Sequence, residues 1–176
     1  MDMRIASELT TKPVHGVGED EVPTSEVLIH GTPTGKLVSG KILEAAVQWE
    51  NRYLLFMTDD VPFEEMLSIH LLDAQMNALD SARIGCLYST GTFTSLLLSE
   101  PNTVQFRFIG DTFWSIELLS RPRFRVPFIS EPSGVWRSLG FSRHFIVHGN
   151  PRPQTVERDQ VFGLAVSRTW PEGAAC

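Results

Sequence analysis

The segment FSRHFIVHG, residues 141–149, sets two imidazoles, His144 and His148, four positions apart. On a helix that spacing puts both on one face, where they could share a metal ion. On a strand they also share a face, but they stand about 13 Å apart at ~3.3 Å per residue. One ion with Zn–N bonds of about 2 Å cannot bridge that span. Phe145 and Val147 alternate with His144, Ile146 and His148, which is the period of a strand. The two histidines are then polar positions on one strand face, and no metal ligand is assigned. His30 and His70 fall at or within other strand-like runs, and only the fold can bring either near His144.

Arginine is the second chemical signal. The formal charge is -6, yet residues 1–100 carry 6 Lys or Arg against 15 Asp or Glu, while residues 101–176 carry 9 against 6. All nine cations of the second part are Arg, whose planar fork suits carboxylates and stacks on aromatic rings. Arg123 and Arg125 share one strand face, Arg121 precedes them, Arg107 belongs to the same sheet, and Arg143 joins from the last strand. Cross-strand neighbours stand about 5 Å apart, so these guanidinium groups could gather around an acidic partner. Trp136 lies near them and would serve as an interface anchor if exposed. The acidic balance of the whole chain argues against non-specific nucleic-acid binding.

Other segments have partial catalytic patterns. TDDVPFEEM gathers Asp59, Asp60, Glu64 and Glu65, but Pro62 and Phe63 stand where a cation loop needs alternating ligands and a Gly, so the run is expected to be a solvated connection. GTPTGKL has three residues between its glycines and Leu37 after Lys36, whereas a phosphate-cradling loop has four and a Ser or Thr. VLIHGTPTGK also resembles the strand and oxyanion loop of α/β-hydrolases. That resemblance implies a serine in a G-x-S-x-G elbow between a strand and a helix. LYSTG offers Ser89, but Leu87 replaces the first Gly; GFSRH offers Ser142, but His144 replaces the last. The likeness covers about nine residues and assigns no nucleophile.

These side chains are positioned by short alternating runs. TVQFRF and FWSIELL alternate apolar and polar residues, joined at Gly110-Asp111 where a tight turn is expected. Arg123 to Val126 reads as a third strand after a connection at Ser120–Pro122, which makes a three-strand meander. KILEAAVQW and RYLLFMT form a hairpin across Glu50-Asn51, with Leu43, Ala45, Val47 and Trp49 on one face. RYLLFMT is apolar on both faces and is expected to be a central strand. LSIHLLDAQMNALDSARIG repeats the pattern across a turn near Gln75–Asn77. VLIH and FTSLLLS add further strands, and GTPTGK is expected to be the hairpin loop between VLIH and KILEAAV. SEPSGVWRSLG is expected to be one short helix ended by Gly140, and VPFEEM a single turn. Neither could carry a crossover between parallel strands.

The expected fold is all-β, an antiparallel sandwich or closed barrel of nine or ten strands with that one helix near its end. Residues 1–24 are expected to be a flexible segment, 25–150 the folded domain and 151–176 an extended tail, with VFGLAVSRTW as a further strand candidate. No apolar run approaches the roughly 20 residues of a membrane-crossing helix. The N-terminus lacks the pattern of a secretory signal, and Cys86 and Cys176 read as two lone thiols, so a cytoplasmic setting is expected. The expected function is non-catalytic binding of a protein partner, of the immunity or inhibitor type or within an assembly. The binding candidates are Arg107, Arg121, Arg123, Arg125, Trp136 and Arg143. No cofactor is assigned, and a homodimer through a strand edge is a further candidate. The alternatives are a small-molecule-binding barrel and, behind it, a hydrolase or metal enzyme drawing on His144 or His148 with Asp59, Asp60 or Ser89.

Overall fold

Two-residue links between alternating runs fix antiparallel neighbours, and the computed structural model contains several. It describes residues 2–14, 22–61, 65–85, 91–109, 113–125 and 131–149. Thirteen strands lie in them: β1 (Met3–Ile5), β2 (Leu9–Val14), β3 (Thr24–Ile29), β4 (Thr32–Ser39), β5 (Ile42–Trp49), β6 (Arg52–Thr58), β7 (Leu67–Asp73), β8 (Ala78–Ile84), β9 (Thr94–Ser99), β10 (Thr103–Arg107), β11 (Phe113–Phe124), β12 (Val135–Trp136) and β13 (Ser142–His148). They form three antiparallel sheets, in the orders β1-β5-β6-β7-β8-β12, β13-β11-β10-β9 and β2-β3-β4. None closes on itself, so the barrel alternative is replaced by stacked open sheets.

The six-stranded sheet is the middle layer, and its central strand shows why. On β6, Leu54 and Phe56 enter a core shared with Val104 and Phe106 of β10, Trp114 and Ile116 of β11 and Phe145 of β13. Leu55 and Met57, pointing the other way, enter a second core with Leu9 of β2, Val27 of β3 and Val38 of β4. A strand buried on both faces must be apolar at every position, as RYLLFMT is. On its neighbour β5 a register irregularity between Leu43 and Ala45 switches the phase. Ala45, Val47 and Trp49 therefore face the first core while Leu43 packs against the second, not on one face with them.

The Glu50-Asn51 hairpin is present, with Trp49 opposite Arg52. At the β3–β4 turn Ile29 stands opposite Thr32, and the linking residues His30 and Gly31 both have positive φ, 49° and 77°. This is the backbone that matches strand twist in a two-residue hairpin. The turn is therefore earlier and tighter than expected, and TPTGKLVS is itself strand β4 rather than a loop.

Three further expectations are corrected. The short helix over residues 130–140 is replaced, where described, by a turn and β12: Val135 N donates to Pro132 O, Gly85 N donates to Gly134 O, and β12 pairs with β8. Pairing to an open sheet edge outcompetes a helix too short to nucleate. The third meander strand is instead the continuation of β11, in which residues 119–122 face only His144 on β13. Pro122, which has no N–H to give to a ladder, sits in this irregular stretch. Finally, β1 and β2 lie inside the segment expected to be flexible; β1 pairs with β5, and Leu9 of β2 is buried. The turns at Gly110-Asp111 and VPFEEM, residue Val126 and the tail from residue 151 fall wholly or partly outside the described residues.

Candidate functional site

The β11–β13 ladder and the β12 segment carry most of the binding candidates, and the structure divides them into a buried set and an exposed set. Arg143 shares its parity with Phe145 and Val147 on β13, so its side chain points inward with theirs. It is buried, which corrects its expected place on a solvated arginine face. A second arginine, Arg137, meets it there. The Arg137 and Asp80 side chains are only 2% and 4% exposed and form an ion pair with Nη1 3.0 Å from Oδ1. Glu131 Oε1 lies 3.1 Å from Arg137 Nε and 3.8 Å from Arg143 Nε, and Asp80 Oδ1 lies 3.8 Å from Arg143 Nη1. Two cations therefore face two carboxylates between the middle sheet, which supplies Asp80 from β8, and the outer sheet, which supplies Arg143 from β13.

Hydrogen bonds lock the same cluster. Asp80 Oδ2 accepts from the backbone N–H of His144 at 2.8 Å, and Arg137 Nη2 donates to Phe145 O at 3.1 Å. The Arg137 guanidinium also lies 4.2 Å from the centre of the Phe145 ring. Burial pushes Arg137 below the ordinary arginine range, with Asp80 and then Glu131 opposing. An arginine stays protonated through such a shift. Arg143 is less well served: among the described residues its guanidinium makes one hydrogen bond, from Nη2 to Ser138 O at 3.3 Å. A cavity of about 290 Å3 opens at this point, bounded by Glu131, Ser133, Val135, Trp136, Arg137 and Arg143.

The exposed set lies at the end of the same ladder. Phe124 and Phe141 are 75% and 59% exposed and stack on one another, ring centres 5.6 Å apart and planes 3° from parallel. Leu139 is exposed in the preceding loop. Arg121 and Arg123 are solvated and make no ion pair among the described residues. Arg123 stands directly opposite Arg143, so one ladder position holds a solvated cation beside a buried one. Arg107 lies elsewhere in the sheet, at the other end of β10, with its guanidinium 4.5 Å from the centre of the Phe113 ring. Arg125 is half-buried and its backbone N–H donates to Phe141 O. Trp136 is exposed and lines the cavity. Arg137, Asp80 and Glu131 were not among the sequence candidates.

Among the described residues, the catalytic candidates form separate contacts. His148 Nε2 lies 3.3 Å from Glu117 Oε2 on the sheet surface, while His144 Nδ1 is buried without a hydrogen bond. His70 Nε2 lies 2.9 Å from Ser39 O of β4, and the side chain is half-buried. His30 occupies the β3–β4 turn. Asp59 pairs with Arg83 at 2.9 Å and Asp60 with Lys41 at 2.7 Å, while Glu65 accepts the backbone N–H groups of Asp59 and Asp60. Burial pushes the Asp59 carboxyl up, against the pull of Arg83. Among the described residues, no group of three or more His, Cys, Asp or Glu side chains could hold a metal ion. Glu64, Cys86, Ser89 and Cys176 lie outside the described residues. No described helix is long and apolar enough to cross a membrane. No protein-family model, curated protein or solved structure matches this chain.

Proposed function

We propose that this chain is a non-catalytic, cytosolic β-domain that captures a protein partner, and that its recognition surface is the open end of the β11–β13 ladder. The observation that carries this is the Phe124–Phe141 stack, two large rings held parallel in the open, with Phe124 on the strand that also carries the solvated Arg121 and Arg123. Soluble proteins scatter single apolar residues over their surfaces, but adjoining exposed aromatics mark contact sites. Aromatic rings and arginines are also the side chains enriched at the energetic centres of interfaces. Two solvated guanidinium groups without a counter-charge among the described residues call for acidic side chains on the partner, with a planar fork that favours carboxylates.

In this reading the arginine face expected from sequence keeps Arg121 and Arg123, gives up the buried Arg143, and takes in the exposed Phe124, Leu139 and Phe141. The test is capture from host lysate by the tagged protein, followed with Arg121→Glu/Arg123→Glu and with Phe124→Ala. A stoichiometric acidic partner that both variants lose, and that high salt releases, supports the surface. Capture that both variants retain refutes it.

A further inference from the structure

We propose that the cavity beside β12 is a carboxylate-binding site, in which Arg143 and Arg137 receive the carboxylate and Trp136 covers the organic body of the ligand. It goes beyond the docking surface and stands on different residues.

The argument begins with donors. A guanidinium carries five N–H groups, and a buried one normally spends most of them. Among the described residues Arg143 spends one, on Ser138 O, and its distances to both carboxylates, 3.8 Å each, exceed hydrogen-bond reach. The deeper Arg137 Nε is buried without a hydrogen bond, although Glu131 Oε1 is only 3.1 Å away. Both side chains border the cavity. Two cations with unspent donors, around a space of about 290 Å3, form a seat for an anion at the lower end of the size range of ligand pockets.

The anion's identity follows from what already approaches the seat. Glu131 Oε1 lies 3.1 Å from Arg137 Nε but off hydrogen-bond alignment, and 3.8 Å from Arg143 Nε, beyond hydrogen-bond reach, so the protein's own carboxylate half-fills the position that a ligand would take. Arg forks bind planar carboxylates through two parallel hydrogen bonds, which Glu131 does not achieve here. Trp136, exposed at the rim, offers an aromatic face to a flat or aliphatic body. Val135 gives the floor an apolar patch. The ligand class is therefore a small organic acid, or an acidic side chain presented by a peptide. Glu131 competes with it.

That competition gives a signature which a purely structural cluster would not show. The probes are benzoate, the blocked peptide acetyl-Ala-Glu-Ala-amide and inorganic phosphate, each titrated against the full chain while the Trp136 indole and Arg143 Nε resonances are followed by NMR. Saturable shifts with benzoate are expected, weakened at least about fivefold in Trp136→Ala and tightened roughly tenfold in Glu131→Gln, where the competing charge is gone. The same pattern with the peptide alone assigns the seat to a protein side chain; with benzoate it assigns a free small acid. No saturable shift from either probe in wild type and in a folded Glu131→Gln overturns the proposal. So does saturation that Glu131→Gln leaves unchanged, or phosphate binding equal to that of benzoate. Trp136→Ala, at an exposed position, keeps the test valid if Glu131→Gln does not fold. None of these results bears on partner capture at Phe124.

Discussion

Asp80 holds the two sheets together at their polar seam, and Asp80→Asn removes its charge. The substitution keeps the shape of the side chain but leaves one acceptor oxygen for two N–H donors, since His144 N bonds to Oδ2 at 2.8 Å and Ser81 N to Oδ1 at 2.9 Å. What it removes is the negative charge 3.0 Å from Arg137 and 3.8 Å from Arg143, leaving Glu131 alone against two buried cations. Breaking a buried pair from one side costs about 3–5 kcal/mol, because an uncompensated charge stays out of water. At about 2–4 °C per kcal/mol for a chain of this size, the midpoint of thermal unfolding should fall by roughly 6–20 °C. Urea denaturation followed by tryptophan fluorescence measures the loss directly, as a lower midpoint with an unchanged slope. Replacing Asp80 and Arg137 together by Leu and Met should recover much of it, since well-packed apolar pairs often match buried ionic ones. A loss below about 1 kcal/mol in Asp80→Asn would refute the claim that the Asp80–Arg137 pair acts as a buried one.

Other expectations follow from titration and from the surface. Burial holds His70 and His144 below the ordinary imidazole range. As pH falls below about 6.5 the unfolded chain takes up protons that the folded chain refuses, so stability should drop from pH 7.5 to pH 5.5. Asp59, pushed up by burial, works in the opposite sense at lower pH. The difference between wild type and His70→Gln isolates the histidine, and an identical pH dependence in the two would contradict its assignment. The Arg4 guanidinium, 2.6 Å away, holds Glu8 down at about 2. Its stabilising share is thus complete above the unfolded value near 4.3 and lost as pH falls through about 2, so Glu8→Gln should flatten the acid limb of the stability curve. Phe124→Ala touches only exposed surface and should change the urea midpoint by no more than about 0.5 kcal/mol in equivalent stability while capture is lost.

Local pattern carried the sheets further than it carried the site. The Glu50-Asn51 hairpin and the two-faced burial of β6 follow from residues adjacent in sequence, where period and turn chemistry act alone. The inward direction of Arg143 was also legible, because it shares its parity with Phe145 and Val147. A charge usually marks a solvated position, and that prior hid it. Nothing local announces that residues 119–122 bulge against one partner residue, or that Leu43 changes face, since both depend on the register of a neighbouring strand. Asp80 and Arg137 are 57 positions apart, and their meeting is fixed only when β12 pairs with the edge of β8. The helix expected near Val135 failed for the same reason: the free edge of β8 was available to pair with it.

The most direct test of the recognition surface is a photo-crosslinking phenylalanine analogue placed at position 124 and, as a control, at position 37, an exposed residue of β4 in another sheet. Illumination in host lysate is expected to give one discrete adduct with an acidic protein from position 124 and none from position 37, and Arg121→Glu/Arg123→Glu is expected to abolish it. Equal labelling from both positions, or an adduct that survives the charge reversal, would contradict the assignment of this surface.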